Sequence, residues 1–396
     1  MKSSKLRAWW SHRQGLDGSM RGKSPAWILE RCGWSRSVGG VGPYLTLFSR
    51  GGTSREMADQ AAAQLEIHEL PTARGCTYVL PSSDFALGLT VGRNYSGDMK
   101  TALKLGVTEK EVDRLCDAVV KALEQGALDP DSIREATGKA SRSLGEEGKQ
   151  KGLTTTLPLA LGRLQTEGRI RRVPINGRFD QQRYAYVNWR PNPLASYPES
   201  LEAAFSELAR RFFRWVGPAT LGEFQWFAGL GVKTTKQAVD SLGLVPIEPG
   251  SDRLLLPDDV AAFRELEVPT TPEYALVSSL DPIAANRREM QSLIDDEDRE
   301  RPVVVDATSK PMGGLTDLPS HAILDRGRII GLWEFDPAAG SIVWATFGRR
   351  KDKALAAAVE ETEAFVRAQL GDARSFSLDS PKSRVSRLES LRALAC

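Results

Sequence analysis

The chain has 396 residues, 41% of them apolar and 26% charged, with a formal net charge of +2. That length exceeds one ordinary core and predicts about two to four domains. No stretch approaches the roughly 18 consecutive apolar residues of a membrane span, and the near-neutral total leaves any polyanion contact to be argued from local charge.

The opening "MKSSKLRAWWSHRQG" lacks the apolar core and small-residue cleavage site of a signal peptide, so a cytoplasmic protein is expected. "SVGGVGPYL" then packs three glycines between Gly39 and Gly42. It lacks the Gly-x-Gly-x-x-Gly spacing and the Lys-Ser/Thr of phosphate loops. It reads as a helix C-terminus turning into Pro43. Thr53 and Glu56 form a capping-box pattern opening a helix to Leu65. "ARGCTYVLPSSDFAL" predicts a strand followed by a helix capped at Ser83 or Asp84. Residues 1–105 are therefore expected to be a helical domain with a winged-helix-like half.

Residues 106–192 give the clearest pattern. Thr108 and Glu111 form a second capping box, and Val112, Leu115, Cys116, Val119 and Leu123 follow at helical spacing. "DPDSIREATG" predicts a short helix capped by Asp129 and stopped by Gly138. "SLGEEGKQKG" reads as a linker. A third helix follows in "LTTTLPLALGRLQTEG", with Pro158 confined to its first turn. Asn176-Gly177 between two strand-like runs then signals a tight hairpin. Three helices and a hairpin make a winged helix. The order recurs in residues 193–265: Leu201, Phe205, Leu208 and Phe212 on one helix, a Thr220/Glu223 capping box, "TTKQAVDSLG", and two apolar strands. It is a fold-level repeat.

Residues 266–372 turn to β texture in "YALVSSLDP", "PVVVDAT", "HAILDRGRIIGLWEFD" and "GSIVWATF", predicting a small antiparallel sheet closed by an amphipathic helix over 351–370. Residues 373–396 form a loose tail, whose Val385, Leu388, Leu391 and Leu394 could dock as a last helix.

Winged helices most often place their third helix in the major groove of duplex DNA and the wing along the backbone. Between Arg163 and Arg190 stand seven arginines against Glu167 and Asp180. Arg171, Arg172, Arg178 and Arg183 are candidate phosphate contacts; Tyr184, Tyr186 and Trp189 are read as core rather than base-stacking residues. Lys233 and Lys236 are further DNA candidates on the second unit. Arg74 suits a phosphate or a flipped nucleotide, the alternative being a structural pairing with Asp84. Cys32, Cys76, Cys116 and Cys396 are scattered, as are His12, His68 and His321, so neither disulfides nor a metal site is expected, and no Gly-x-Ser-x-Gly elbow occurs.

Five stretches together resemble the AlkZ-like DNA glycosylases and their winged-helix relatives over most of residues 5–350. They are "LRAWWSHRQGL", "ARGCTYVLPSSD", "RFFRWVGPATLGEFQWFAGL", "ALVSSLDPIAANRR" and "LDRGRIIGLWEFD". The resemblance implies mainly α structure with β: tandem winged helices in a C shape plus a C-terminal antiparallel β-domain. It also implies a monomer on double-stranded DNA, nucleoid-associated, without small-molecule cofactor, and excision of alkylated bases, in some members at interstrand crosslinks. The family's glutamine–hydrophobic–glutamine motif falls on Gly40-Val41-Gly42, so both amides that orient water are replaced by hydrogen. Its Arg-Gly-Thr-x-His stretch falls on Arg74-Gly75-Cys76-Thr77-Tyr78, making Arg74 and Thr77 DNA candidates and putting Tyr78 near the family's histidine. Two readings are open: a divergent glycosylase in which Gln14, Tyr44, Asp59 or Tyr78 orients water, or a non-catalytic DNA-binding factor, regulatory or damage-sensing. A protein–protein scaffold is a third class compatible with the net charge.

Overall fold

The computed structural model describes residues 3–93, 98–197, 200–305, 308–348 and 352–395 of a mixed α/β chain. Cys396, residues 198–199, and the end of the "PVVVDAT" strand at 306–307 lie outside the described residues.

The first helix, Ser3–Arg13, buries Trp9 and Trp10, and the Trp9 indole donates to the Gly217 carbonyl at 2.8 Å. Helix Pro25–Cys32 starts on a Ser24 cap with Pro25 in its first turn and stops at Gly33, where φ is +98°. Strand Ser35–Arg36 comes next, on the edge of a three-stranded antiparallel sheet in the order Ser35–Arg36, Thr77–Pro81, Ile67–Pro71. The glycine run therefore does not end a helix, as its sequence suggested; it opens one, Gly42–Gly51. Pro43 fits there because the first turn needs no proline N–H and has the φ that the ring imposes. Two expected caps also move. Ser54, not Thr53, caps helix Arg55–Ala63, accepting from Met57 N at 3.2 Å. Asp84 precedes helix Phe85–Gly92 without capping it, because its carboxylate turns inward to the Trp34 indole (2.8 Å) and Arg211 (3.0 Å).

Residues 99–170 gather their own core around Val112, Leu115, Cys116, Val119, Leu164 and Ile170. Helix Glu109–Ala122 is capped by Thr108, and Pro130–Thr137 by Asp129. The expected linker is instead a short helix, Gly145–Gln150, which buries Gly148. Helix Leu157–Thr166 leads to strands Ile170–Pro174 and Tyr184–Asn188. The connection is a long loop over 175–183 rather than a tight Asn-Gly turn. Its length lets Phe179, 1% exposed, reach the N-terminal segment, where its N–H donates to the Tyr44 hydroxyl at 3.1 Å.

Helix Leu201–Val216 buries Phe205, Leu208 and Phe212 as its periodicity predicts, and the Thr220–Glu223 box closes reciprocally on helix Leu221–Ala228. Helix Val232–Val239 and the two-residue strands Val245–Pro246 and Leu254–Leu255 complete that segment. Farther along is a four-stranded antiparallel sheet ordered Ser341–Thr346, Arg328–Asp336, His321–Asp325, Tyr274–Val277, covered by helix Lys353–Phe365.

The tail is not loose. Ala373, Ser375, Asp379 and Arg384 are buried, and helix Val385–Ala395 docks through Leu388 and Leu391 while Val385 and Leu394 stay exposed. Arg384 makes this possible: its fully buried guanidinium grips Asp372 through two 2.8 Å contacts and donates to the Phe335 carbonyl.

Candidate functional site

A cavity of about 380 Å³ opens where the N-terminal sheet, helix Leu221–Ala228, the turn after Pro282–Ala285 and the tail converge. Its polar walls are Arg36, Arg74, Arg288 and Asp317; Tyr78, Trp226 and Phe376 supply aromatic surface. The Arg74 guanidinium lies 3.7 Å, and that of Arg288 4.9 Å, from the centre of the Trp226 ring, while Arg36 lies 5.6 Å from Tyr78. Such placement holds a cation by the ring quadrupole without neutralising it. Arg288 contacts Asp317 at 3.5 Å, and both side chains are more than a third exposed. Three cations against one carboxylate leave the cavity electropositive.

The backbone is bent to build it. Arg74 and Arg288 both sit in the left-handed region, at φ +58° and +57°. Non-glycine residues enter it at a cost, and such residues cluster at functional sites. The Arg74 and Arg36 Nε atoms are buried with no acceptor among the described residues. Arg74 does not pair with Asp84, the structural alternative read from sequence, because Asp84 is engaged by Trp34 and Arg211. Thr77 is half-buried in the adjoining strand, its carbonyl accepting from Ser37 N.

The groups considered for water orientation do not gather here. Gly40 and Gly42 carry no side chain, and a Cβ on Gly40 would collide with the Ser375 carbonyl of the tail. The Tyr44 hydroxyl, 1% exposed, donates to Asp59; burial pushes the Tyr44 phenol up and holds the Asp59 carboxyl above its usual range. Tyr44 in turn anchors the 175–183 loop by accepting from the Phe179 N–H. Gln14 is fully buried: its amide donates to the Cys32 and Trp215 carbonyls and accepts from Arg50. Tyr78 lines the cavity but is 2% exposed, with a phenol raised by burial.

Of the hairpin arginines, Arg178 pairs with Asp180 and donates to the Leu370 carbonyl, and Arg172 stacks on Tyr184 near Glu69. Arg163 and Arg169 are also paired, with Glu109, Asp113, Asp117 and Glu167, which cancels much of the local excess. Arg171 is half-buried, its guanidinium depressed by desolvation, and Arg183 is exposed. Trp189 is core, and Tyr184 and Tyr186 are half-buried. Lys233 and Lys236 lie exposed on helix Val232–Val239. Among the described residues no cluster of three His, Cys, Asp or Glu could hold a metal, Cys32, Cys76 and Cys116 are free thiols, and no helix is long and apolar enough to cross a membrane.

A family model described as DNA glycosylase AlkZ-like matches residues 41–365. The chain belongs to the AlkZ-like DNA glycosylase family. Among solved structures, the Streptomyces sahachiroi DNA glycosylase AlkZ superposes with a TM-score of 0.70, covering 95% of this chain and 98% of that one at 18% identity. The fold is thus shared with that structure at low pairwise identity. No curated protein sequence matches the chain. Within this AlkZ-like chain, Arg36, Trp226, Arg288, Asp317 and Phe376 were missed as site residues by sequence reasoning. Arg288 ends the "ALVSSLDPIAANRR" stretch and Trp226 lies in "GEFQWFAGL", so their stretches stood out while their convergence did not.

Proposed function

We propose that the protein binds double-stranded DNA and takes an extrahelical nucleotide into the cavity walled by Arg36, Arg74, Arg288 and Trp226. The observation that carries this reading is the convergence of three guanidinium groups on one aromatic-lined cavity. Guanidinium is suited to phosphate oxygens, and a rim of cations compensates the approach of a polyanion. A nucleotide turned out of the duplex presents the phosphate and flat base that such walls fit. In this reading residues 106–192 and 193–265 act as winged helices between the helical 1–105 and the β-domain 266–372, in a C shape around non-palindromic DNA. A monomer on the nucleoid then suffices. Arg171, Arg183, Lys233 and Lys236 extend the phosphate track, with Thr77 beside Arg74.

Glycosylase chemistry is the second reading, favoured by one observation. Asp317 is the one carboxylate among the described residues lining the cavity. An alkylated purine is already cationic, so its glycosidic bond is weak; a carboxylate beside it can hold water and steady the developing sugar cation. Water then adds at the sugar carbon as the base leaves, neutral, with the bonding electron pair, and the proton that the water sheds passes to the Asp317 carboxylate and on to solvent. A non-catalytic, damage-sensing role needs the same cavity without that step.

Two measurements test these readings. Affinity for random duplex should fall steeply with salt, with a log–log slope of about −3 to −4 for four or more phosphate contacts; a flat response would sink DNA binding. Incubation with duplex containing 7-methylguanine, followed by alkali, reads excision. Strand breaks that disappear in Asp317→Asn would support the glycosylase reading, and none at excess protein would leave the sensing role.

A further inference from the structure

The family match ends at residue 365, yet the chain that follows supplies part of the cavity wall. Residues 372–384 are fixed at many points. Val41 N–H donates to the Arg374 carbonyl at 2.9 Å and Ser377 N–H to the Val38 carbonyl at 3.0 Å, so the segment lies along the glycine run. The Ser279 hydroxyl donates to that of Ser375 at 2.7 Å, Ser375 N–H donates to Asp379, and Arg387 bridges Asp379 and Glu334 at 2.7 Å each. Between these anchors two large apolar side chains are left out of the core, Phe376 at 42% and Leu378 at 82% exposure, and of the two it is Phe376 that lines the cavity wall.

Its neighbours in the cavity are already occupied. Two guanidinium groups lie against Trp226, and Tyr78 is buried between Trp34 and Phe227. Phe376 is the lining aromatic, among the described residues, whose ring remains substantially open. Exposing an apolar ring costs solvation free energy, and doing so on a backbone held this rigidly is unneeded for docking the tail. A preorganised ring beside cationic walls matches a nucleobase whose phosphate the arginines hold, since every base has a π-face to stack.

We propose that Phe376 is the base-stacking residue of the cavity, so that the C-terminal segment completes the nucleotide site. This rests on the DNA-binding reading above. The test compares binding of the full chain to a duplex carrying one unpaired adenine and to the same duplex with an abasic residue there. The expected preference for adenine is about 10-fold, within the range of one base–aromatic stack. Phe376→Ala should erase the preference while leaving affinity for the abasic duplex within about twofold, and Phe376→Trp should keep it. A wild-type chain that binds both duplexes equally overturns the stacking role but not DNA binding. A preference that survives Phe376→Ala overturns it as well, as does a Phe376→Ala protein that loses both duplexes together, which would make the ring a prop for the tail. A wild-type chain that binds neither duplex at low salt overturns the DNA-binding reading and this inference with it.

Discussion

Arg74 Cζ lies 3.7 Å from the centre of the Trp226 ring, so a residue in the turn joining two strands of the first sheet is held in place by a helix more than a hundred positions later. The contact orients the guanidinium and leaves its charge available. If Arg74 meets a phosphate, Arg74→Ala lowers the magnitude of the salt slope by about 0.9 and weakens all duplexes alike. Arg74→Lys restores the slope without the full affinity, because an ammonium lacks the planar face that rests on indole. An unchanged slope in Arg74→Ala would show that the guanidinium serves Trp226 alone.

Gly40 is the clearest case of a glycine required by close approach. A methyl there would enter the Ser375 carbonyl, and backbone cannot swing aside as a flexible side chain does. Gly40→Ala should therefore lift residues 374–377 and cost about 1–3 kcal/mol, the range of overpacked sites. Denaturant melts read the loss, and limited proteolysis should cut first within the tail. Gly40→Gln should behave the same way, gaining no excision activity, because a glutamine side chain at 40 has no space while the tail is seated. Equal melting of Gly40→Ala and the parent chain would refute the close contact.

These two sites mark what the sequence could and could not disclose. Caps at Thr108, Asp129 and Thr220 were legible because capping is local: one side chain meets an N–H two or three residues on. The apolar periodicity of Leu201–Val216 and the strands around Gly327 were legible for the same reason. Ser54 displaced Thr53 through a one-residue ambiguity that local pattern cannot resolve. Asp84 misled because its best partners, Trp34 and Arg211, are distant in sequence. The cavity is the extreme example: Arg36, Arg74, Trp226, Arg288, Asp317 and Phe376 come from six separated places in the chain, and only tertiary packing makes them neighbours. The tail looked loose because its anchors are buried ion pairs, whose charged residues read from sequence as solvated surface.

Gln14 illustrates how a polar residue attractive for catalysis serves the core. It shares Arg50 with Asp281, and Arg50 and Asp281 are both fully buried, at 2.7 and 2.8 Å through paired contacts. Removing Arg50 would strand a buried carboxylate, so Arg50→Met should cost about 3–5 kcal/mol. Gln14→Ala removes neutral hydrogen bonds to two carbonyls and one to the guanidinium, and should cost about 1–3 kcal/mol. Both losses are read in urea melts. At temperatures where Gln14→Ala is folded, its DNA affinity and any excision should match the parent; a selective loss of excision would return Gln14 to the catalytic candidates.

His68 sets an acid limit on the fold. It is 3% exposed, edge-on to Phe85 and Trp189 at 6.0 and 5.4 Å, and burial, reinforced by Arg171 and Arg172, pulls its pKa down to about 3. The imidazole is thus neutral in the fold but takes a proton in the unfolded chain below its ordinary value of 6.5. A depressed folded pKa contributes stability that is present above pH 6.5 and lost as pH falls toward 3, at up to about 1.4 kcal/mol per pH unit. His321, lowered to about 4 by its own burial, adds a second proton to the same window. His68→Phe keeps an aromatic ring against Trp189 and removes one titration. Between pH 6 and 4 the slope of unfolding free energy against pH should therefore drop by about one proton relative to the parent, measured by urea melts across that range. Parallel slopes for the two proteins would mean that His68 is already protonated in the fold, with its charge held by a partner that the buried site does not offer.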